Sequence, residues 1–213
     1  GLRDALQQHF RAARPGIARR GFLVEPMVRR GLGTELILGV HRDAVFGPVV
    51  SRRFGRSLGV NPLPPGRKTC TFDCVYCECG RTERAGAARR AYPPVAVLAR
   101  QLESALRRLK SSPPDTITLC GNGEPTLHPR FEELVDMLLR LRRRWAPAAR
   151  IAALTNGTRM TRPEVARALA RCDEVMLKLD AGDAATLRAV NTPLLRWLPS
   201  DAVRAGHRLG HVT

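Results

Sequence analysis

The chain has 213 residues, enough for one well-buried core but short for a complete α/β barrel, which takes about 250. Its 36 Lys and Arg against 19 Asp and Glu leave a formal net charge of +17. No apolar run approaches the roughly 20 residues of a membrane span, and no charged n-region with an apolar stretch and cleavage site follows Gly1. The expectation is a soluble, cytoplasmic protein with no membrane contact, built as one domain with a short appendage.

The charge invites a nucleic-acid reading, because clustered cations attract phosphate. It is almost all arginine, however: Lys68, Lys110 and Lys178 are the only lysines. The arginines are also spread over different expected elements, as at Arg107 and Arg108, Arg140 to Arg144, and Arg89 with Arg90. A solvated surface and an RNA or other anionic substrate both remain open.

In chain order, residues 1–50 precede any βα rhythm, and Leu58-Gly59-Val60 is a short first strand interrupted by Pro62, Pro64 and Pro65. Val95, Leu98, Leu102, Leu106 and Leu109 recur at spacings of three and four, which predicts a helix with one apolar face. Thr116 to Cys120 is a β-branched run between prolines and Gly121, the pattern of a buried parallel strand. Pro129 to Arg144 repeats the helical pattern with Phe131, Leu134, Leu138 and Leu141. Ile151–Leu154 is the next strand, Pro163–Ala170 the next helix and Glu174–Leu179 the strand after it. Four strands with crossover helices make the start of a parallel barrel or an open parallel sheet. No convincing strand follows Pro193, and Gly206 and Gly210 weaken a helix that would carry His207 and His211. These two histidines, and His128 at a helix entry, receive no role.

Four of the six cysteines lie between Cys70 and Cys79. Without a secretory signal such crowding reads as metal binding. Cys70, Cys74 and Cys77 form a C-x3-C-x2-C arrangement, in which three thiolates cap three irons of a cubane 4Fe–4S cluster and leave the fourth iron open to a ligand. A zinc site using Cys79 as fourth ligand lacks the usual paired C-x2-C knuckles. An electron-transfer cluster would need a remote fourth cysteine, for which Cys120 and Cys172 are candidates. Gly121-Asn122-Gly123-Glu124-Pro125 follows the Thr116 strand, where glycines let backbone approach a ligand and Glu124 offers an acceptor for an ammonium group. Thr155-Asn156-Gly157 ends the next strand and Lys178 with Asp180 the one after, at the strand ends where parallel α/β folds gather their ligands.

The cysteine loop with Tyr76 before its third cysteine resembles the signature of the radical S-adenosylmethionine (SAM) superfamily. The stretch from Ser51 to Thr82 is similar to a largely uncharacterised branch of that superfamily, related to proteins that modify tRNA. The resemblance covers about residues 46–194. It implies a partial (β/α) barrel, here incomplete after about four strands. It also implies a 4Fe–4S cluster on Cys70, Cys74 and Cys77 that cleaves SAM reductively to a 5′-deoxyadenosyl radical, which takes hydrogen from a substrate. A glycine-glutamate-proline motif at the second barrel strand holds the SAM amino group in that family, which would engage Gly121, Asn122, Gly123, Glu124 and Pro125. Tyr76 would pack near adenine, Asn156 would contact the ribose or carboxylate, and Lys178 or Asp180 would touch SAM or substrate. An external flavodoxin- or ferredoxin-like protein would supply the electron.

Residues 7–50, with Gly21 to Val28 and Gly33 to Val50, resemble instead part of the ATP-grasp domain of ADP-forming acyl-CoA synthetases. The two resemblances meet at Phe46-Gly47-Pro48-Val49, which implies a chimeric or joined chain. The expected organisation is an N-terminal segment over 1–50, a radical SAM core over 51–194 and a tail over 195–213. A structural zinc or RNA-binding module, and an inactive fragment of a fused acyl-CoA synthetase, stand as alternatives.

Overall fold

The computed structural model describes residues 40–82 and 92–209. Its sheet has the order β1-β2-β3-β4-β5. The strands are β1 (Val45–Ser51), β2 (Gly55–Val60), β3 (Thr116–Leu119), β4 (Arg150–Thr155) and β5 (Glu174–Leu177). Strand β1 runs antiparallel to β2, and β2 to β5 are parallel. Helices α1 (Val95–Arg108), α2 (Phe131–Trp145) and α3 (Pro163–Leu169) connect the parallel strands, and α4 (Ala184–Val190) and α5 (Pro199–Leu209) follow β5. The result is an α/β fold with an open, mixed sheet whose edges are β1 and β5, and its four parallel strands are those expected from the sequence.

Alternation along the strands decides which face is which. Leu58, Val60, Ile117, Leu119, Ile151, Ala153 and Val175 point to one side and form a single core with Leu98, Leu102 and Leu106 of α1 and Leu134 and Leu138 of α2. The intervening residues are smaller and more polar. Ser57 Oγ and Thr118 Oγ1 lie 2.7 Å apart on neighbouring strands, and Thr116 Oγ1 donates to Phe54 O at 2.9 Å. The helices therefore cover one face, and the opposite face is left to line a site.

Two elements differ from the expected pattern. Strand β1 lies in the stretch assigned to a separate N-terminal segment, and a division at 50/51 runs through it. It is an edge strand whose register shifts between Phe46 and Val49, around Gly47 and Pro48, with Val49 and Val50 exposed. That shift removes the clean alternation by which strands are recognised. Helix α5 forms despite Gly206, because Ala202, Ala205, Gly206 and Leu209 all face inward and small residues allow close approach. His207 is exposed on it, and His211 lies outside the described residues.

His128 has a structural role. Its Nδ1 accepts from Arg130 N–H at 3.2 Å, which leaves Nε2–H to donate to Pro93 O at 3.0 Å and ties the entry of α2 to that of α1. Only the neutral ring can do both. Burial holds its pKa below the ordinary 6.5, against the opposing pull of the Pro93 hydrogen bond. A depressed histidine contributes stability that is complete above pH 6.5 and is lost as the pH falls through the folded-state value. Between pH 7.5 and 5 the urea midpoint of the native chain is expected to fall more steeply than that of His128→Gln; parallel curves would remove this assignment.

Candidate functional site

A cavity of about 500 Å³ opens on the uncovered face, between the cysteine loop and the C-terminal ends of β3, β4 and β5. Cys70, Cys74, Cys77 and Cys79 line it together with Lys68 and Tyr76 from the loop. Gly121, Gly123 and Glu124 reach it from the end of β3, Thr155 and Asn156 from the end of β4, and Lys178 and Asp180 from the end of β5. Residues as far apart as Cys70 and Lys178 thus meet at one mouth, as strand ends in parallel sheets do. A second cavity, of about 460 Å³ between β1 and α1, carries none of the expected residues.

The Gly121 turn and the cysteine loop are pinned backbone to backbone. Thr69 N–H donates to Asn122 O at 2.7 Å, and Glu124 N–H donates to Thr69 O at 3.0 Å, within a parallel bridge between Thr69 and Gly123. Gly121 and Gly123 have φ of +135° and +136°, a region open in practice to glycine alone. A Cβ on Gly123 would sit 2.0 Å from Thr69 O.

Glu124 is only 2% exposed, and its carboxylate collects four donors. Its Oε1 accepts from Thr126 N–H, Thr126 Oγ1 and Thr155 Oγ1 at 3.2, 2.5 and 2.7 Å, and Oε2 accepts from Asn156 N–H at 2.6 Å. The carboxylate therefore latches the end of β3 to the end of β4. Burial pushes its pKa up, and the hydrogen bonds from Asn156, Thr126 and Thr155 oppose that shift. Oε2 accepts only one of these bonds and has capacity for a further donor.

Asn156 Nδ2 donates to Thr71 Oγ1 at 2.8 Å and lies 3.7 Å from Cys70 Sγ, while its Oδ1 accepts from Thr158. The side chain thus braces the cysteine loop as well as facing the cavity. Lys178 Nζ stands 4.7 Å from the centre of the Tyr76 ring and 3.1 Å from Asp180 Oδ2, and Tyr76 Oη also bonds Asp180. Burial raises the Asp180 carboxyl, but hydrogen bonds from Tyr76 and Asn191 and the Lys178 charge hold it below the usual value. Asn122 and Pro125 do not line the cavity. The Asn122 side chain is fully buried, bonding the backbone of His41 and Pro64, and Pro125 begins a 3₁₀ turn over Pro125–Leu127.

Lys68 was not anticipated. Its ammonium is buried, donates to Gly80 O at 2.8 Å and lies 3.6 Å from Asp73 Oδ1, placing a positive charge beside the thiols. A lysine two residues before Cys70 in an arginine-rich chain was the available signal. The Cys77 thiol is pulled down to about 5 by a hydrogen bond from Cys79 and by Lys68, against desolvation, and Cys79 is pushed up. Cys70 is raised to about 12 by burial and by the nearby Glu124 carboxylate. Binding iron there must displace a proton, since a coordinating thiol is deprotonated outright.

The donors are of the type that a 4Fe–4S cluster takes. Three thiols line one cavity together with glycine backbone and a carboxylate. Among the described residues no three His, Cys, Asp or Glu side chains converge as a single ion requires.

Comparison with known proteins bears on the same residues. The Radical SAM superfamily matches residues 67–204, and an ATP-grasp domain matches residues 3–57, so the second match extends into β1 and β2. A "UPF0026 protein" of Helicobacter pylori is 37% identical over 149 residues, 70% of this chain and 46% of that protein. A "UPF0026 protein" of Synechocystis is 34% identical over 151 residues, 71% of this chain and 53% of that protein. The chain thus spans about half the length of these curated relatives. A solved structure described as native anSMEcpe with bound AdoMet shares the fold at a TM-score of 0.50 and 19% identity, over 74% of this chain and 42% of that one. The cysteine loop, the Gly121 turn pinned to it and strands β3 to β5 all fall within the 67–204 match, with β2 just before it: the chain belongs to the radical SAM superfamily.

Proposed function

We propose that this chain holds a 4Fe–4S cluster on Cys70, Cys74 and Cys77 and binds SAM against the strand ends opposite, as the initiating half of a hydrogen-abstracting enzyme. The observation that supports this reading is the shared cavity, which the three thiols line together with Gly121, Gly123 and Glu124. When bound, the cluster supplies the electron that cleaves SAM to a 5′-deoxyadenosyl radical able to take hydrogen from a substrate. The remaining work belongs to the chain. The spare Oε2 lone pair of Glu124 accepts from the SAM ammonium, and Gly121 and Gly123 let backbone approach the methionine part. Among the residues lining the cavity, Asn156 would contact the ribose or carboxylate, Lys178 would touch SAM or substrate, and Tyr76 would offer a ring face for adenine. The apolar side chains of Leu154 and Met176 at the same mouth exclude water from the reacting atoms.

A flavodoxin- or ferredoxin-like protein is the proposed electron donor, and a cytoplasmic setting the proposed location. An RNA or another anionic substrate is favoured by the +17 charge.

After anaerobic reconstitution the chain is expected to contain iron and sulfide and to form 5′-deoxyadenosine on addition of dithionite and SAM. Zinc in place of iron and sulfide, or a full cluster with no 5′-deoxyadenosine, would overturn the proposal.

A further inference from the structure

The segment that follows α4 clasps the cysteine loop. Val75 N–H donates to Val190 O at 2.9 Å, Asp73 N–H to Asn191 O at 3.0 Å, and Leu194 N–H to Thr71 O at 2.8 Å. Phe72 and Pro193 form an antiparallel bridge within it. Thr192, at φ +44°, is the only non-glycine residue with positive φ among the described residues, and such a conformation persists where its surroundings over-determine it.

Asn191, at the centre of this clasp, is fully buried. Its Nδ2 lies 3.4 Å from Cys74 Sγ and 3.4 Å from Tyr76 Oη, and it also bonds the Asp180 carboxylate. Asp180 settles which way the amide points, since an ionised carboxylate accepts only and must face the NH2 group. One hydrogen goes to Asp180, and the second is left to the Cys74 sulfur and the Tyr76 oxygen. Asn191 Oδ1 is buried without a partner among the described residues, so the donating end of the side chain is the end that is used.

We propose that Asn191 is a positioning residue for Cys74, whose N–H···S bond raises the reduction potential of the cluster held by the loop. The inference rests on the cluster assignment made under the proposed function. A donor to a ligating thiolate withdraws charge from it, and this favours the reduced cluster because reduction adds negative charge. The other two thiols have their own partners, Asn156 near Cys70 and Lys68 with Cys79 near Cys77. Asn191 differs in reaching Cys74 from 117 residues away, and in sharing its amide with Tyr76 and Asp180, which line the same cavity.

The test is a redox titration followed by electron paramagnetic resonance, without SAM, on the reconstituted native chain and Asn191→Leu. At the poise where the native cluster is half reduced, the ratio of reduced to oxidised cluster in Asn191→Leu is expected to fall about tenfold, a shift of about 59 mV for one electron. A second measurement avoids dependence on that variant. With ¹⁵N in the asparagine side chains, the reduced native cluster is expected to couple to an amide nitrogen, and Asn156→Ser is expected to keep a coupling. An unshifted potential in a fully loaded Asn191→Leu would overturn the proposal. If Asn191→Leu takes up no cluster, loss of the nitrogen coupling in Asn156→Ser would do the same, and its survival would support the proposal. A native chain that binds no iron and sulfide would defeat the cluster assignment itself, and this inference with it.

Discussion

Replacing Cys70, Cys74 or Cys77 by alanine is expected to abolish cluster uptake and reduce 5′-deoxyadenosine formation to background. Losing an outer partner of a metal ligand typically costs about 10–100-fold in affinity or activity, so losing one of three ligands costs more. No nearby residue is placed to substitute cleanly. Cys79 is the closest candidate, but its thiol donates to Gly121 O on the cavity wall at 3.7 Å. Cys172→Ala is the control. Cys172 is buried against Ala168 O at 3.9 Å, away from the cavity, and its alanine variant is expected to take up iron and sulfide as the native chain does. The measurement is iron and sulfide per chain after reconstitution, with the spectrum of the reduced cluster. Cluster uptake in any of the three variants equal to that of Cys172→Ala would contradict the assignment. Cys74→Ala carries a separate structural cost, because Cys74 packs with Phe72, Leu187 and Trp197. Cys74→Ser keeps most of that volume and isolates the loss of the thiolate.

Gly123→Ala is expected to be the most destabilising glycine substitution at the site, by about 3 kcal/mol or more, from the combined costs of an unfavourable φ and of overpacking. The added Cβ would lie 2.0 Å from Thr69 O and 2.6 Å from Thr69 C. Both are backbone atoms held by the Thr69 and Glu124 hydrogen bonds, so no side chain can rotate away. To accept the methyl group the Gly121 turn and the cysteine loop must separate, which opens the cavity between them. Gly66→Ala is the milder comparison: Gly66 has φ +69°, in the ordinary left-handed region, and nothing within 4 Å of a Cβ. Its cost is the left-handed conformation alone, about 1–2 kcal/mol. Urea unfolding of both variants checks this, and a loss in Gly123→Ala no larger than that in Gly66→Ala would contradict the expected clash with Thr69.

Much of this was readable along the chain. The apolar spacing from Val95 to Leu109 and from Phe131 to Leu141 identified α1 and α2, because a helix covering a sheet must present a stripe. The β-branched run at Thr116 identified β3 for the complementary reason. The cysteine triplet and the Gly121 to Pro125 turn pointed to the chemistry, since metal ligation and close backbone approach demand particular residue types at short spacing. Local demands of this kind are written locally.

What depended on contacts between distant residues was not readable. Edge strand β1 was missed because its register breaks at Gly47 and Pro48. Helix α5 was discounted because its glycine makes sense only against the surface it packs on. Asn122 had the position of a cofactor residue in the sequence, and the fold uses it to hold His41 and Pro64. Lys68 and Asn191 carried no motif, yet one sets a buried charge beside the thiols and the other donates to Cys74. The sequence by itself determined the α/β rhythm and brought forward the three cysteines and the Gly121 turn as the candidate site. Tertiary structure decided which polar groups surround the sulfurs, because a hydrogen bond depends on a few ångströms of separation that no spacing along the chain records.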